Sequence, residues 1–194
     1  MNMRILNSLT QYLTSFFIDR EMRFIYRNNL KIDIKIFFTQ LFYKNPNKDT
    51  KACSIYKTEK NYKIITTYPV SSGIFVTREP VFILPLNITL EELKNTIFKA
   101  INECKLISCK EYEKMPHSIK YYLNILKEKS LKGLYQNSTY CSIYLKNGIL
   151  EIVPFKYSEK RKCLEPDCER NLKMEYSKEN ELKITNEVVQ ILNS

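Results

Sequence analysis

Six cysteines and a single histidine are the side chains of this chain best suited to chemistry. The cysteines stand at positions 53, 104, 109, 141, 163 and 168. Cys104/Cys109 and Cys163/Cys168 share a C-x4-C spacing, at the loose end of what a zinc site uses. The tighter C-x2-C is missing, and His117 is the only imidazole. Small buried hydrophobes account for these thiols more simply than a metal does. Nucleophilic catalysis needs a base beside the nucleophile. His117 follows Pro116 at the start of an expected helix, where a capping or surface role suffices. Cys141 as a nucleophile would need exposure and a lowered thiol pKa. The carboxylates offer no matched acid and base. Glu91 and Glu92 belong to a helix start, and Glu111 and Glu113 stand among Lys110 and Lys114. With three glycines, the chain has neither G-x-G-x-x-G nor a Walker loop. No cofactor and no small-molecule substrate are expected.

The formal charge is +10, from 31 basic and 21 acidic residues. That balance favours an acidic partner or nucleic acid. The basic residues are spread along the chain, however, with acids beside them. The densest run, KYSEKRKC from Lys156 to Cys163, is followed at once by LEPDCE, which reads as a solvated surface. Tyr56, Tyr62, Tyr68, Tyr140 and Tyr144 offer stacking faces for bases, but core and sheet-surface packing explains them more cheaply. A basic nucleic-acid-associated accessory protein stays open as an alternative.

The elements that would position these residues are those of an α+β protein. Asn147-Gly148 marks a type I′ hairpin, since both central residues need positive φ. Its register sets Tyr144 opposite Glu151 and Ile143 opposite Ile152. Alternation then puts Cys141, Ile143, Leu145, Leu150 and Ile152 on one face, and Ser142, Tyr144, Lys146 and Glu151 on the other. Pro154 cannot donate to a ladder and is expected at a strand end or edge. Residues 4–17 read as an amphipathic helix, and residues 22–27 and 30–36 as extended. Strands are expected at 52–57, 62–68, 74–77, 81–84 and 172–176. Thr89-Leu90-Glu91-Glu92 is a capping box opening a helix with Leu93, Ile97, Ala100, Ile101 and Cys104 inward. Pro116-His117-Ser118 opens another, with Ile119, Tyr122, Leu123 and Leu126 inward. Residues 156–171 read as a polar stretch. Ser177 is the expected cap of a last helix carrying Leu182, Val188, Val189 and Ile191. No run approaches the ~20 apolar residues of a membrane span, and no signal-peptide pattern opens the chain. A soluble cytoplasmic protein is expected.

Cys53-Ser54-Ile55-Tyr56 recurs as Cys141-Ser142-Ile143-Tyr144, and Thr89 and Ser177 repeat the same offset. Residues 30–105 and 117–194 therefore read as two similar β-rich halves of one domain, 1–194. Such halves would build an antiparallel sheet, or two, with helices packed on a face.

Ser130, Lys132, Leu134, Tyr135, Asn137, Cys141, Ile143, Ile152 and Pro154 stand in an order that resembles a known signature. It is that of the immunity proteins (CdiI) of bacterial contact-dependent growth inhibition systems. Thr89-Leu90-Glu91-Glu92-Leu93 after VFILPL is similar to the family's first helix start. The resemblance implies a binding protein, not an enzyme, whose partner is the toxic C-terminal domain of a surface effector, often a nuclease. A nucleic-acid mimic should be acidic, whereas this chain is basic. The toxin is therefore expected to present an acidic contact surface, or to be held away from its substrate cleft. With the apolar hairpin face given to the core, its polar face and the flanking loop are left for the partner. The candidate contacts are Tyr144, Lys146, Lys156, Tyr157, Lys160, Arg161 and Lys162.

Overall fold

The computed structural model describes residues 47–194, which fall within the compact unit Asn45–Ser194. The expected helix over 4–17 and the extended segments over 22–27 and 30–36 lie outside the described residues. Seven strands form one antiparallel sheet: β1 Lys51–Thr58, β2 Asn61–Pro69, β3 Phe75–Pro85, β4 Ser138–Lys146, β5 Ile149–Ser158, β6 Cys163–Pro166 and β7 Leu172–Glu175. Their order is β3-β2-β1-β4-β5-β6, with β7 also pairing with β5. Among the described residues five α-helices accompany them: α1 Leu90–Glu103, α2 Cys109–Glu113, α3 Ile119–Leu126, α4 Leu131–Gln136 and α5 Glu181–Asn193.

The β4–β5 hairpin has the register set by its turn. Tyr144 faces Glu151, Ile143 faces Ile152 and Lys146 faces Ile149. Asn147 and Gly148 have φ of 51° and 76°, the conformation a type I′ turn needs. At the centre of the sheet β1 pairs with β4 so that Ser54 faces Ser142. The two CSIY segments are thus direct neighbours running in opposite directions, with one hairpin on either side.

One face of the sheet carries Cys53, Ile55, Ile64, Cys141, Ile143 and Ile152. Leu93, Ile97 and Ile101 of α1 and Ile184, Val188 and Leu192 of α5 cover it. Burying each such side chain is worth about 1.5–3 kcal/mol, so this layer dominates the stability. The opposite face holds a smaller core of Tyr56, Ile65, Leu126 and Leu134, under α3 and α4. Helices therefore pack on both faces.

The structure revises several details. The extended segments 74–77 and 81–84 are one strand, β3, with a bulge in its pairing between Ile65 and Thr66 of β2. Pro154 lies inside β5 rather than at its end. There the outer neighbour of β5 changes from β7 to β6, and the Pro154 carbonyl accepts from the Asp167 amide at 2.8 Å. A residue's N–H and C=O point the same way in a strand, so the missing N–H faces that gap. Residues 156–171 include the end of β5 and all of β6, because pairing with β5 orders a polar segment. Ser130 and Ser108 cap two short helices, α4 and α2, that the sequence reading did not place. Ser177 makes no capping bond: a 3₁₀ turn, Lys178–Asn180, separates it from α5. On α5 Ile184 and Thr185 turn inward while Leu182 is 41% exposed, and on α3 Ile119 is 62% exposed. Both lie in the first turn of their helix.

Candidate functional site

The reactive side chains are engaged in structure. Cys141 is fully buried in β4, and burial pushes its thiol up to about 12. Cys53 is raised too, by the same desolvation and then by Cys141. Neither can supply the thiolate that nucleophilic attack requires. The Cys104 thiol donates to the Thr67 carbonyl at 3.0 Å, while Cys109 lies 3.2 Å from the Ser71 hydroxyl. Among the described residues no three His, Cys, Asp or Glu side chains converge as metal ligands would. His117 packs edge-on against Tyr112, ring centres 4.4 Å apart, with its Nδ1 3.4 Å from the Arg78 guanidinium. Glu92 caps its own helix, accepting from the Thr89 amide at 3.0 Å.

The tyrosines divide by position. Tyr56, Tyr62 and Tyr68 are 2%, 6% and 9% exposed, which removes them as stacking platforms. Tyr56 packs against Tyr140 with ring centres 4.4 Å apart and planes tilted by 36°, and its hydroxyl lies 3.2 Å from that of Tyr122. The Tyr140 hydroxyl reaches Ser54 and Ser142, 2.9 Å from each. Ser54 also lies 3.0 Å from the Thr67 hydroxyl, closing a buried polar cluster at the middle of the sheet.

The seven candidate contact residues fall into two groups, near opposite ends of β5. Lys156, Tyr157, Lys160, Arg161 and Lys162 gather at the β5–β6 turn. Most of their charge is spent locally: Lys162 on Glu159 at 2.7 Å, Arg161 on Glu165 at 3.0 Å and Lys156 on Asp167 at 3.7 Å. Tyr144 and Lys146 stand at the other end, ~20 Å away at the rise of an extended strand.

There a surface cleft of about 310 Å³ opens. It is lined by Asn47, Thr50, Phe75, Tyr144, Lys146, Ile149, Glu151 and Lys173. Phe75 meets Tyr144 edge to face, with ring centres 5.2 Å apart. Lys173 of β7 pairs with Glu151 of β5 at 3.3 Å. Asn47 donates to the Gly73 carbonyl at 2.8 Å, tying the β2–β3 turn to the rim. Burial raises the Tyr144 phenol, and the Glu151 carboxylate opposite adds to the shift, so the group is a neutral hydrogen-bond donor. Of this lining the sequence offered Tyr144 and Lys146, with Glu151 reachable through the hairpin register. Phe75, Thr50 and Lys173 come from segments far apart in the chain, and no local pattern joins them.

The match to known proteins falls on this same sheet. The family model of the CDI immunity protein, CdiI, matches residues 51–180. The chain belongs to that family. It is an immunity protein of a CDI system. Two solved structures share the fold. A protein of unknown function, NMB0488 from Neisseria meningitidis, aligns with a TM-score of 0.57 and 18% identity, over 78% of this chain and 98% of its own. The CdiA-CT/CdiI toxin and immunity complex from Yersinia pseudotuberculosis aligns with a TM-score of 0.52 and 10% identity, over 74% of this chain and 95% of the other. Among curated proteins nothing matches. Among the described residues no helix is long and apolar enough to cross a membrane.

Proposed function

We propose that this chain acts in the cytoplasm as a stoichiometric inhibitor, without catalysis of its own. It binds the toxic C-terminal domain of a contact-dependent growth inhibition effector, a nuclease, and silences it. The family match over residues 51–180 carries this reading. Two further observations support it. Cys141 and Cys53 are sealed in the core, and the densest basic run is largely neutralised by its own acids. The first weakens an enzymatic reading and the second a nucleic-acid one. Contact would use the exposed side of the β4–β5 unit: Tyr144 and Lys146 at one end, or Lys156, Tyr157, Lys160, Arg161 and Lys162 at the other. A tight complex needs roughly 1,200–2,000 Å² of buried surface, more than either group alone supplies, so neighbouring strands must contribute.

The test is co-expression. The toxin domain is the C-terminal domain of the large secreted effector that this reading expects to be encoded beside the gene, induced with and without the chain. Growth should be restored by the chain, with a one-to-one complex on size exclusion and loss of nuclease activity in vitro. Undiminished killing in the presence of folded chain refutes the reading.

A further inference from the structure

The cleft at the hairpin end of the sheet contains an unexplained group. Thr50 is 6% exposed and lines the cleft, yet its hydroxyl finds no hydrogen-bond partner among the described residues. An unsatisfied buried hydroxyl carries a desolvation cost that folding alone gives no reason to keep. Around it, among the described residues, the charged lining is Lys146, Lys173 and Glu151. Lys173 keeps 66% of its side chain exposed, so it can turn from Glu151 to a second anion without unfolding anything. Beside Asn47, which donates to the Gly73 carbonyl, the remaining lining among the described residues is apolar: the Phe75–Tyr144 ring pair and Ile149, which is 45% exposed although it is a large hydrophobe. An apolar floor with converging polar groups is the anatomy of an anchor pocket.

We propose that this cleft is the anchor site for the toxin, and that it takes an acidic side chain projecting from the toxin surface. The assignment rests on the immunity reading above. The methylene stem of an Asp or Glu lies over Phe75, Tyr144 and Ile149. Its carboxylate pairs with Lys173 and accepts a hydrogen bond from Thr50. The chain's charge of +10 points to the same class of partner, because it draws acidic surfaces towards it. The pairs at the β5–β6 turn leave that region less to offer an acid. Nucleic acid is disfavoured, since a single narrow cleft with a carboxylate in its wall does not follow a phosphate backbone.

The experiment measures affinity of the full-length chain for the purified toxin domain by calorimetry, with Tm recorded for every variant. Lys173→Glu should weaken binding at least tenfold. Thr50→Val should weaken it at least threefold while raising Tm, a combination that a purely structural threonine would not give. Lys183→Glu matches the charge change on α5, against the opposite sheet face, and should bind within twofold of wild type. If Lys173→Glu does not fold, Lys173→Gln takes its place. Wild-type binding and protection, with both cleft variants within twofold of it, overturns the anchor site and leaves the immunity reading standing. A folded wild-type chain that neither binds nor protects overturns both. Binding of a single-stranded oligonucleotide that Lys173→Glu abolishes, without effect on toxin, also overturns the assignment.

Discussion

Lys63 shows what a charge must find when a sheet buries it. It is 2% exposed, and its ammonium donates to the Leu126 carbonyl at 2.6 Å and pairs with Glu128 at 2.8 Å. Removing one partner leaves an under-compensated charge, whereas replacing the charge with a hydrophobe of similar length removes the demand. Glu128→Ala should therefore cost about 1–3 kcal/mol, the range for an orphaned buried polar group. Lys63→Met should cost less, and urea unfolding of the two variants decides the order. The cysteines give a second residue-scale prediction. Cys168 is exposed while Cys53 and Cys141 are fully buried with raised thiols. A thiol reagent near pH 8 should label Cys168 quickly and reach Cys53 and Cys141 only through unfolding. Rapid labelling of Cys141 in the native chain would revive it as a nucleophile. That Cys141 faces inward was legible from the hairpin alternation. Lys63 was not, because the groups that satisfy it come from a helix 63 residues further on.

Helix starts here depend on carboxylates that titrate. The capping box of α1 holds the Glu92 carboxyl below its ordinary value of 4.5, through the Thr89 amide and hydroxyl. Ser108 does the same for Glu111 at the start of α2. A depressed native pKa means that the unfolded chain takes up the proton first as pH falls. The contribution is therefore complete above about pH 4.5 and is lost as pH drops through the native value. Glu92→Gln should be less stable than wild type near neutrality and should lose less stability between about pH 5 and pH 3, so that the two converge in acid. Denaturation followed across that range checks it, and parallel curves would refute it. The elements also show where sequence reading succeeds. The α1 cap and the Asn147-Gly148 turn are local devices whose residues are adjacent, so both could be placed. The strand β6 could not, since its order comes from pairing with β5 and not from its own polar residues. The helices α2 and α4 are too short for a periodic pattern, at five and six residues, and only their capping serines mark them.

For the molecule as a whole, the family signature turns out to be structural where its contacts are defined. Ser130 caps α4, Leu134 fills the smaller core, Tyr135 stacks near Tyr56, and Cys141, Ile143 and Ile152 sit under α1 and α5. Such residues identify a fold and say little about which toxin is bound, which is why the cleft stayed invisible while the family did not. We read the two CSIY segments as matched copies about the Ser54–Ser142 pair, which makes Ile55 and Ile143 equivalent, both fully buried. Each should then cost about 2–5 kcal/mol when cut to alanine, with the two values close; unfolding free energies differing by more than about 1.5 kcal/mol, one decade in the equilibrium constant, would contradict the equivalence. The last prediction concerns the charge of +10. A basic inhibitor meeting an acidic toxin surface is drawn in over distances that salt screens, with a Debye length of about 10 Å at 0.1 M and about 3 Å at 1 M. Contacts already made are shielded far less, so salt should act on encounter more than on escape. Stopped-flow association should slow by roughly tenfold or more between about 50 mM and 500 mM salt, with dissociation changing much less. Lys173→Glu should reduce the salt sensitivity of the on-rate only slightly, because it removes a small part of the long-range field, while accelerating dissociation. An on-rate indifferent to salt would mean that the toxin surface is not acidic, and that the excess of lysine serves something other than this encounter.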